Sequence, residues 1–258
     1  MDRSYLSDES VVAASRHFVC IRLSTYEDAD EAEYMKRLFL PRSGVLENTT
    51  FSILAPDGKR KLSASGRGPR HMFRNASAMA STMNRIAKQY PAKRSQPDQQ
   101  PALPLMKDVA LALNVAASDN LPLVVINALP DTKATAATAL LRQVAWTRPL
   151  SGQFVYALAK DSKELKAISG AKPADQILVI EPGQFGLEGK VLTTFDHAED
   201  AGTAKAKLMN VTRNFSRQPS SHRSHVRKGI ELGIDWESQI PETDPMSIRA
   251  RQRMRGRQ

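Results

Sequence analysis

Few side chains in this chain are of a type that does chemistry, and their spacing narrows what they could do. The one cysteine among 258 residues, Cys20, cannot form an internal disulfide, a CxxC redox pair or a cysteine-based zinc site. It stands in the middle of FVCIRL, a strand-type run away from any helix N-terminus, so a buried, small hydrophobe is expected. The sharper alternative is a lone peroxidatic or sensor thiol. The five histidines are scattered (His17, His71, His197, His222, His225), and only the last two are close, in a polar stretch without nearby carboxylates. No metal site is expected. No Ser-His-Asp set or glycine-rich nucleotide loop stands out, GRGP is too short to count as one, and no cofactor is expected. Arg67 and Arg70 in GRGPR, with Arg74 just beyond, are the remaining candidates. With the glycine amides they could cradle an anion; the plainer reading is a turn with solvated arginines.

Charge extends that question beyond one turn. The net charge of +10 is unevenly spread: Gly58 to Pro97 holds ten basic residues and no acidic one, whereas Met1 to Asp57 holds six basic and ten acidic residues. Five arginines fall in the last ten residues. Such asymmetry suits an acidic partner, whether nucleic acid, an anionic surface or another protein, and equally a solvated face with a disordered tail. Only Phe73 and Tyr90 are aromatic within the basic block, so stacking platforms for nucleic acid are weak and phosphate charge alone would be read. No apolar run approaches the length needed to span a bilayer and the N-terminus MDRSYLSDES is polar, which as written reads as cytoplasmic. A longer precursor would change that to extracytoplasmic.

The elements that must position these residues follow from periodicity. Hydrophobic content of 41% and charged content of 25% are those of a globular chain long enough for two ordinary domains. A helix is expected over 5–16 with Ser7 or Asp8 as cap, a strand over 17–24, and an amphipathic helix over 27–40 with acids in its first turns. Glu47 to Pro69, ENTTFSILAPDGKRKLSASGRGP, reads as strand, Pro-Asp-Gly turn and strand. A helix over 72–90 follows, whose Met72, Met79 and Met83 stripe predicts core packing rather than a ligand groove. PAKRSQPDQQPALP, 91–104, is the linker candidate. A second block then alternates: helix 105–117, strand 121–129, helix 132–146, strand 153–159, short helix 161–169, strands 176–183 and 189–195, and helix 198–215. After Ser216 the chain turns polar, with 230–236 a candidate docking strand and the rest expected to be irregular.

The hairpin with its Pro-Asp-Gly turn, Gly-Arg and closing helix resembles the C-terminal half of a thioredoxin-like domain. The preceding LSDESVVAASRHFVCIRLSTYED resembles the stretch after the active site of disulfide-reductase types. The second block is similar to the family's full order, β-α-β-α-β-β-α. The resemblance implies an α/β protein of tandem thioredoxin-like domains with mixed sheets flanked by helices, the first incomplete: 1–91, a linker 92–104, 105–216, and a basic, largely irregular tail 217–258. It also implies a CxxC pair at the first helix, but the second block reads INALPDTKATAA there, without cysteine. The family's cis-proline, opposite the cysteines, has Pro173 as its nearest candidate, with Ala174, Asp175 and Gln176 intervening. The first block lacks its first strand, which in the family lies inside the sheet. That would leave a gap of roughly 9.6 Å, twice the spacing of neighbouring strands. Direct pairing, strand addition by another segment or chain, or an upstream segment are the three repairs.

Three functions follow as expectations. The first is a redox-inactive thioredoxin-like protein acting as a protein-binding or scaffold module. The second is the body of a thiol-disulfide oxidoreductase whose CxxC segment lies upstream of Met1. The third is a binder of nucleic acid or another anionic partner through 58–97 and the arginine-rich end. Enzymatic activity is not expected of the chain as written, and a small-molecule ligand is not identified.

Overall fold

The computed structural model describes residues 2–23, 28–39, 50–91, 101–127, 130–147, 149–174, 176–216 and 221–234, with a few more near the C-terminus. The chain divides into two compact units, Met1–Arg94 with Trp236–Gln258, and Ser95–Asp235.

Unit 1 is built on two packed helices. A single π-helical turn, Asp2–Leu6, leads into α1, Glu9–Ser15, capped by the Asp8 carboxylate, which accepts from Ser10 N at 2.9 Å. α2 spans Ala29–Phe39, with Asp30 and Glu31 in its first turn and Lys36 and Arg37 in its last, the arrangement the helix dipole favours. α3, Ala76–Gln89, starts where Asn75 Oδ1 accepts from Ala78 N at 2.9 Å. Its Met79, Ala80, Met83 and Ile86 pack with Val11 and Ala14 of α1 and with Ile53. Met79 and Met83 are therefore core, as their spacing predicts, whereas Met72 lies before the helix, at the end of the Pro69–His71 turn, and outside that cluster.

The hairpin of unit 1 is real but irregular. Phe51 and Gly66 exchange backbone hydrogen bonds of 2.7 and 3.2 Å, and Leu54 bridges Lys61. Between them the Ser63 hydroxyl takes the Ile53 N–H at 2.9 Å, so a side chain replaces one rung of the ladder. Asp57 closes the turn by accepting from Lys59 N and Arg60 N, and Gly58 supplies the positive φ of 66°. The expected strand over 17–24 is not formed: residues 19–23 join no bridge, and Val19 and Ile21 are 90% and 62% exposed. A strand needs a neighbour, and none stands beside this run among the described residues.

Unit 2 is a mixed six-stranded sheet between two layers of helices. Its strands are β1 Leu105–Met106, β2 Leu123–Ile126, β3 Val155–Leu158, β4 Ile168–Ser169, β5 Ile177–Pro182 and β6 Gly189–Phe195. They lie in the order β1-β3-β2-β5-β6-β4. β1 and β2 run parallel to β3, β5 is antiparallel to both β2 and β6, and β4 is parallel to β6. β2 is wholly buried, which suits the unbroken apolar run LVVI of a strand covered on both faces. Its side chains alternate between two cores. Leu123 and Val125 join Leu178 and Ile180 beneath α4, Val109–Asp119; Val124 and Ile126 join Ile177 and Val179 against α5, Asp131–Ala145, and α6, Ala201–Asn214.

Several boundaries differ from expectation for local reasons. The helix expected over 105–117 is two elements, β1 and then α4, because Asp108 caps at Leu111 N and starts the helix there. The short helix expected over 161–169 is a single 3-10 turn, Ser162–Leu165, closed by a reciprocal Asp161–Glu164 capping box, followed by β4. The end of the linker is packed: Leu103 is buried and Pro101 O accepts from Trp146 Nε1 at 3.0 Å. The stretch after Ser216 contains α7, His222–Glu231, so Ile230 is helical rather than part of a docking strand. α7 lies in unit 2, with the His225 ring centroid 4.7 Å from that of Phe185 and Lys228 Nζ bonding Gln184 at 3.0 Å. Among the described residues no helix is long and apolar enough to cross a membrane.

Candidate functional site

Two places gather chemistry-bearing residues, one in each unit. In unit 1 the turn Gly66–His71 carries the predicted arginines. Gly66 is fixed by its paired bonds to Phe51, and Pro69 opens a 3-10 turn, Pro69–His71, in which Gly68 O accepts from His71 N at 3.0 Å. Pro69 O then accepts from both Met72 N and Phe73 N. A Cβ at Gly66 would stand 3.1 Å from His71 Cβ, so the turn closes tightly on the hairpin. A proline in the first position presets the turn's φ, which leaves Arg67 and Arg70 on a short, rigid backbone.

That turn forms one wall of a cleft of about 600 Å³ lined by Ser4, Tyr5, Arg67, Gly68, Arg70 and His71. Among the described residues no carboxylate lines it. Tyr5 is held in place because its hydroxyl donates to Phe73 O at 2.9 Å. Arg70 Nε donates to His71 Nε2 at 3.3 Å, so that imidazole nitrogen serves as the acceptor. Arg67 and Arg70 thus meet as expected. Arg74 is exposed and outside the lining. Ser4, Tyr5 and His71 were not predicted; the first two come from more than sixty residues away in sequence and carry no local signal.

In unit 2 the end of the sheet at the C-terminus of β2 is polar. Asn127, the one buried polar residue among those described, donates its N–H to Gln176 O at 2.9 Å and its Nδ2 to Pro173 O at 3.4 Å. Gln176 in turn bonds both Asp196 and His197, and Asp196 Oδ1 also accepts from His197 Nδ1 at 2.9 Å. Facing two acceptors, Nδ1 is the protonated nitrogen. Lys207 Nζ meets Glu199 Oε1 at 2.7 Å beside it. α5 begins nearby at Pro130 and Asp131, with Pro130 O accepting from Lys133 N and Ala134 N. No cis peptide bond is present among the described residues, so Pro173 is trans, and its carbonyl serves as the acceptor for Asn127.

Cys20 belongs to neither place. It is exposed rather than buried, because the run expected to bury it joins no sheet among the described residues. Partial desolvation still pushes its thiol above the ordinary value. That is the opposite of the activation a reactive thiol needs. Among the described residues no group of three or more His, Cys, Asp or Glu side chains could hold a metal ion.

No protein-family model matches the chain, and no significant match to it is found among curated proteins or solved structures. The fold itself defines a mixed α/β protein.

Proposed function

We propose that the chain is a binding protein whose second unit holds, over 105–216, a thioredoxin-like domain without a redox pair. The observation that carries this reading is the placement of β2. It lies inside the sheet with β3 parallel on one side and β5 antiparallel on the other, and it leads into α5 through a segment without a thiol. The family's first strand occupies such an inside position, and the antiparallel pair β5–β6 followed by α6 agrees with its second half. The hairpin and α3 of unit 1 repeat that ending in a less regular form. Where thiol exchange would occur, Asn127 instead ties β2 to Gln176 and Pro173. A role in holding a protein partner is supported by the outer edge of β6. Among the described residues β4 pairs with β6 only at Gly189 and Lys190, while Leu187 and Leu192 nearby are exposed. An open edge of this kind accepts an added strand.

The test is to install the missing chemistry. In a Cys20→Ser background, Pro130→Cys with Lys133→Cys places two thiols three residues apart at the entry of α5. A helix N-terminus lowers thiol pKa values there, and the spacing is short enough for a disulfide. The expected result is a reversible intramolecular disulfide and a gain of dithiothreitol-driven insulin reduction over the parent chain. A pair that neither closes nor reduces insulin, in a variant that keeps its fold, would refute the thioredoxin-like reading. A second reading, an anionic partner held by the basic block, is favoured by the convergence of Arg67, Arg70 and His71 on one cleft.

A further inference from the structure

We infer that unit 2 holds an uncharged, extended peptide segment as an added strand on β6, with one aliphatic side chain of that segment seated in a cleft between β6 and α6. The inference rests on the reading of the β6 edge as a partner surface and adds the partner's chemistry. Among the described residues β4 pairs with β6 at Gly189 and Lys190, so Val191–Phe195 has β5 on one side and no strand on the other. Along that stretch the register slips. Val179 pairs with Thr193 and Ile180 with Val191, which leaves Leu192 without a partner across the ladder. A bulge of this kind bends the strand and re-aims a side chain, and Leu192 is 41% exposed. Leu192 and Thr193 then form one wall of a cleft of about 300 Å³, and the C-terminal half of α6 forms another with Asn210, Val211, Asn214 and Phe215.

The lining says what the cleft takes. Leu192, Val211 and Phe215 suit an aliphatic side chain, and about 300 Å³ is at the small end of ligand pockets, the scale of a side-chain anchor. Asn214 Nδ2 donates to Asn210 Oδ1 at 3.0 Å, a bond that uses neither Asn210 Nδ2 nor Asn214 Oδ1. That donor and that acceptor match the two groups of a peptide unit. The charges at the cleft are already matched within unit 2: Lys207 Nζ meets Glu199 Oε1 at 2.7 Å, and Glu181 stands opposite Lys190 in the β5–β6 register. A charged side chain brought there would compete with those pairs and lose hydration, so an uncharged segment fits best. Alternate side chains of an added strand share one face, so the anchor also sets the register of the rest. A second copy of the chain is a poorer occupant. Val191–Phe195 spans only roughly 17 Å at about 3.4 Å per residue, and two such edges offer too short a contact for the roughly 1,200 Å² of a stable interface.

The experiment is fluorescence anisotropy of a labelled, end-capped peptide, Thr-Gln-Thr-Leu-Thr-Gln-Thr, titrated with the full chain; its palindromic sequence serves either strand direction. Saturable binding is expected, constant within about twofold between about 50 and about 500 mM salt because no charge pair forms. Aspartate in place of the peptide's leucine should weaken binding about tenfold or more, the scale of one buried aliphatic side chain. Lysines or glutamates in place of its glutamines should both weaken it. N-methylation of alternate peptide nitrogens should abolish binding for the set that faces β6 and spare the other set. On the chain, Leu192→Asp should weaken binding about tenfold or more, and Asn210→Ala and Asn214→Ala about twofold to tenfold each. Val12→Asp, equally exposed at 41% but on α1 of unit 1, should leave it within about twofold of the parent. The peptide changes leave the fold of the chain untouched, so they decide the matter where a variant unfolds.

Binding that needs one set of peptide N–H groups but ignores the leucine, Leu192 and the two asparagines would overturn the cleft assignment and leave the β6 edge reading standing. Binding indifferent to both N-methylated sets would overturn strand addition, and with it the edge reading. Tighter binding of the lysine or glutamate peptide, falling with salt, would overturn the uncharged partner. Absence of binding by every peptide would overturn the inference, and sedimentation then separates the two remaining cases: a concentration-dependent dimer gives the edge to a second copy, and a monomer throughout removes the edge reading as well.

Discussion

The turn between β5 and β6 gives the sharpest test of how unit 2 is held together. Gly186 lies there at φ 67°, in the left-handed region, and a Cβ built on it falls 2.4 Å from Asn114 Cα and 3.0 Å from Leu113 O of α4. Ordinary carbon–carbon contacts begin near 3.5 Å, so Gly186→Ala drives an overlap of roughly 1.1 Å into helix backbone, which cannot rotate away. The conformation alone costs about 1–2 kcal/mol for an L-residue, and overpacking of a tight contact adds about 1–3 kcal/mol. The sum, about 2–5 kcal/mol, is a large part of the 5–15 kcal/mol typical of a whole domain. Gly152 is the control: its φ is 73° and nothing lies within 4 Å of its Cβ position, so Gly152→Ala bears only the conformational term, about 1–2 kcal/mol. In a Trp236→Phe background Trp146 is the single tryptophan, and its fluorescence follows unit 2 during urea unfolding. With a slope of about 2 kcal/mol per molar, the midpoint should fall by about 1–2.5 M for Gly186→Ala and by about 0.5–1 M for Gly152→Ala. Equal shifts in the two variants would refute the account, because the contact with α4 would then contribute nothing.

Asn75→Ala removes the cap of α3 at Ala78 N and should destabilise unit 1 by about 1 kcal/mol, read as a lower urea midpoint by circular dichroism. Three aspartates are held below their ordinary value: Asp8 by the Ser10 hydroxyl and amide, Asp57 by the Lys59 and Arg60 amides, and Asp200 by the Thr203 hydroxyl and amide. A depressed folded pKa contributes stability above the unfolded value, here 3.8, and loses it as pH falls through the folded value. The urea midpoint should therefore drop between about pH 5 and about pH 2, and removing the Asp57 carboxylate with Asp57→Asn should flatten that drop. Cys20 is exposed with a raised pKa, so a thiol reagent should modify one sulfur in the native chain, at a rate still climbing past the ordinary value of 9.0. A rate that levels off near neutral pH would instead mark an activated thiolate.

How much of this was legible depended on how local the cause was. LVVI of β2 announces a strand covered on both faces, and the two-residue turn chemistry of Asp57 and Gly58 announces the hairpin. Arg67 and Arg70 were found because they are neighbours in sequence; Tyr5 and Ser4 reach the same cleft only through packing of the N-terminal turn near Phe73. β1 is two residues long and exists by pairing with Tyr156 and Ala157, which no window on Leu105 and Met106 can reveal. The strand expected around Cys20 is not formed for the converse reason, since its residues have the right types and no strand neighbour among the described residues. α7 was hidden by its charge and by Gly229. The glycine is what the contact requires, since a Cβ there would lie 3.3 Å from the Phe185 ring.

The polar end of the sheet in unit 2 bears on function through what it does to Asn127. An amide 1% exposed is tolerable because its donors end on Gln176 O and Pro173 O; a cysteine in its place would leave the Pro173 carbonyl without that donor. Gln176 is itself engaged by Asp196 and His197, so shifting one member disturbs bonds on β2, on β6 and on the loop before β5 together. Thiol exchange needs the opposite arrangement, a group open to a second disulfide and free to change partners. On the thioredoxin-like reading proposed above, the end of unit 2 where such exchange would be placed is bonded for rigidity. Under that proposal the part of β6 beyond Lys190, which β4 does not pair with, is the surface for recognition in unit 2.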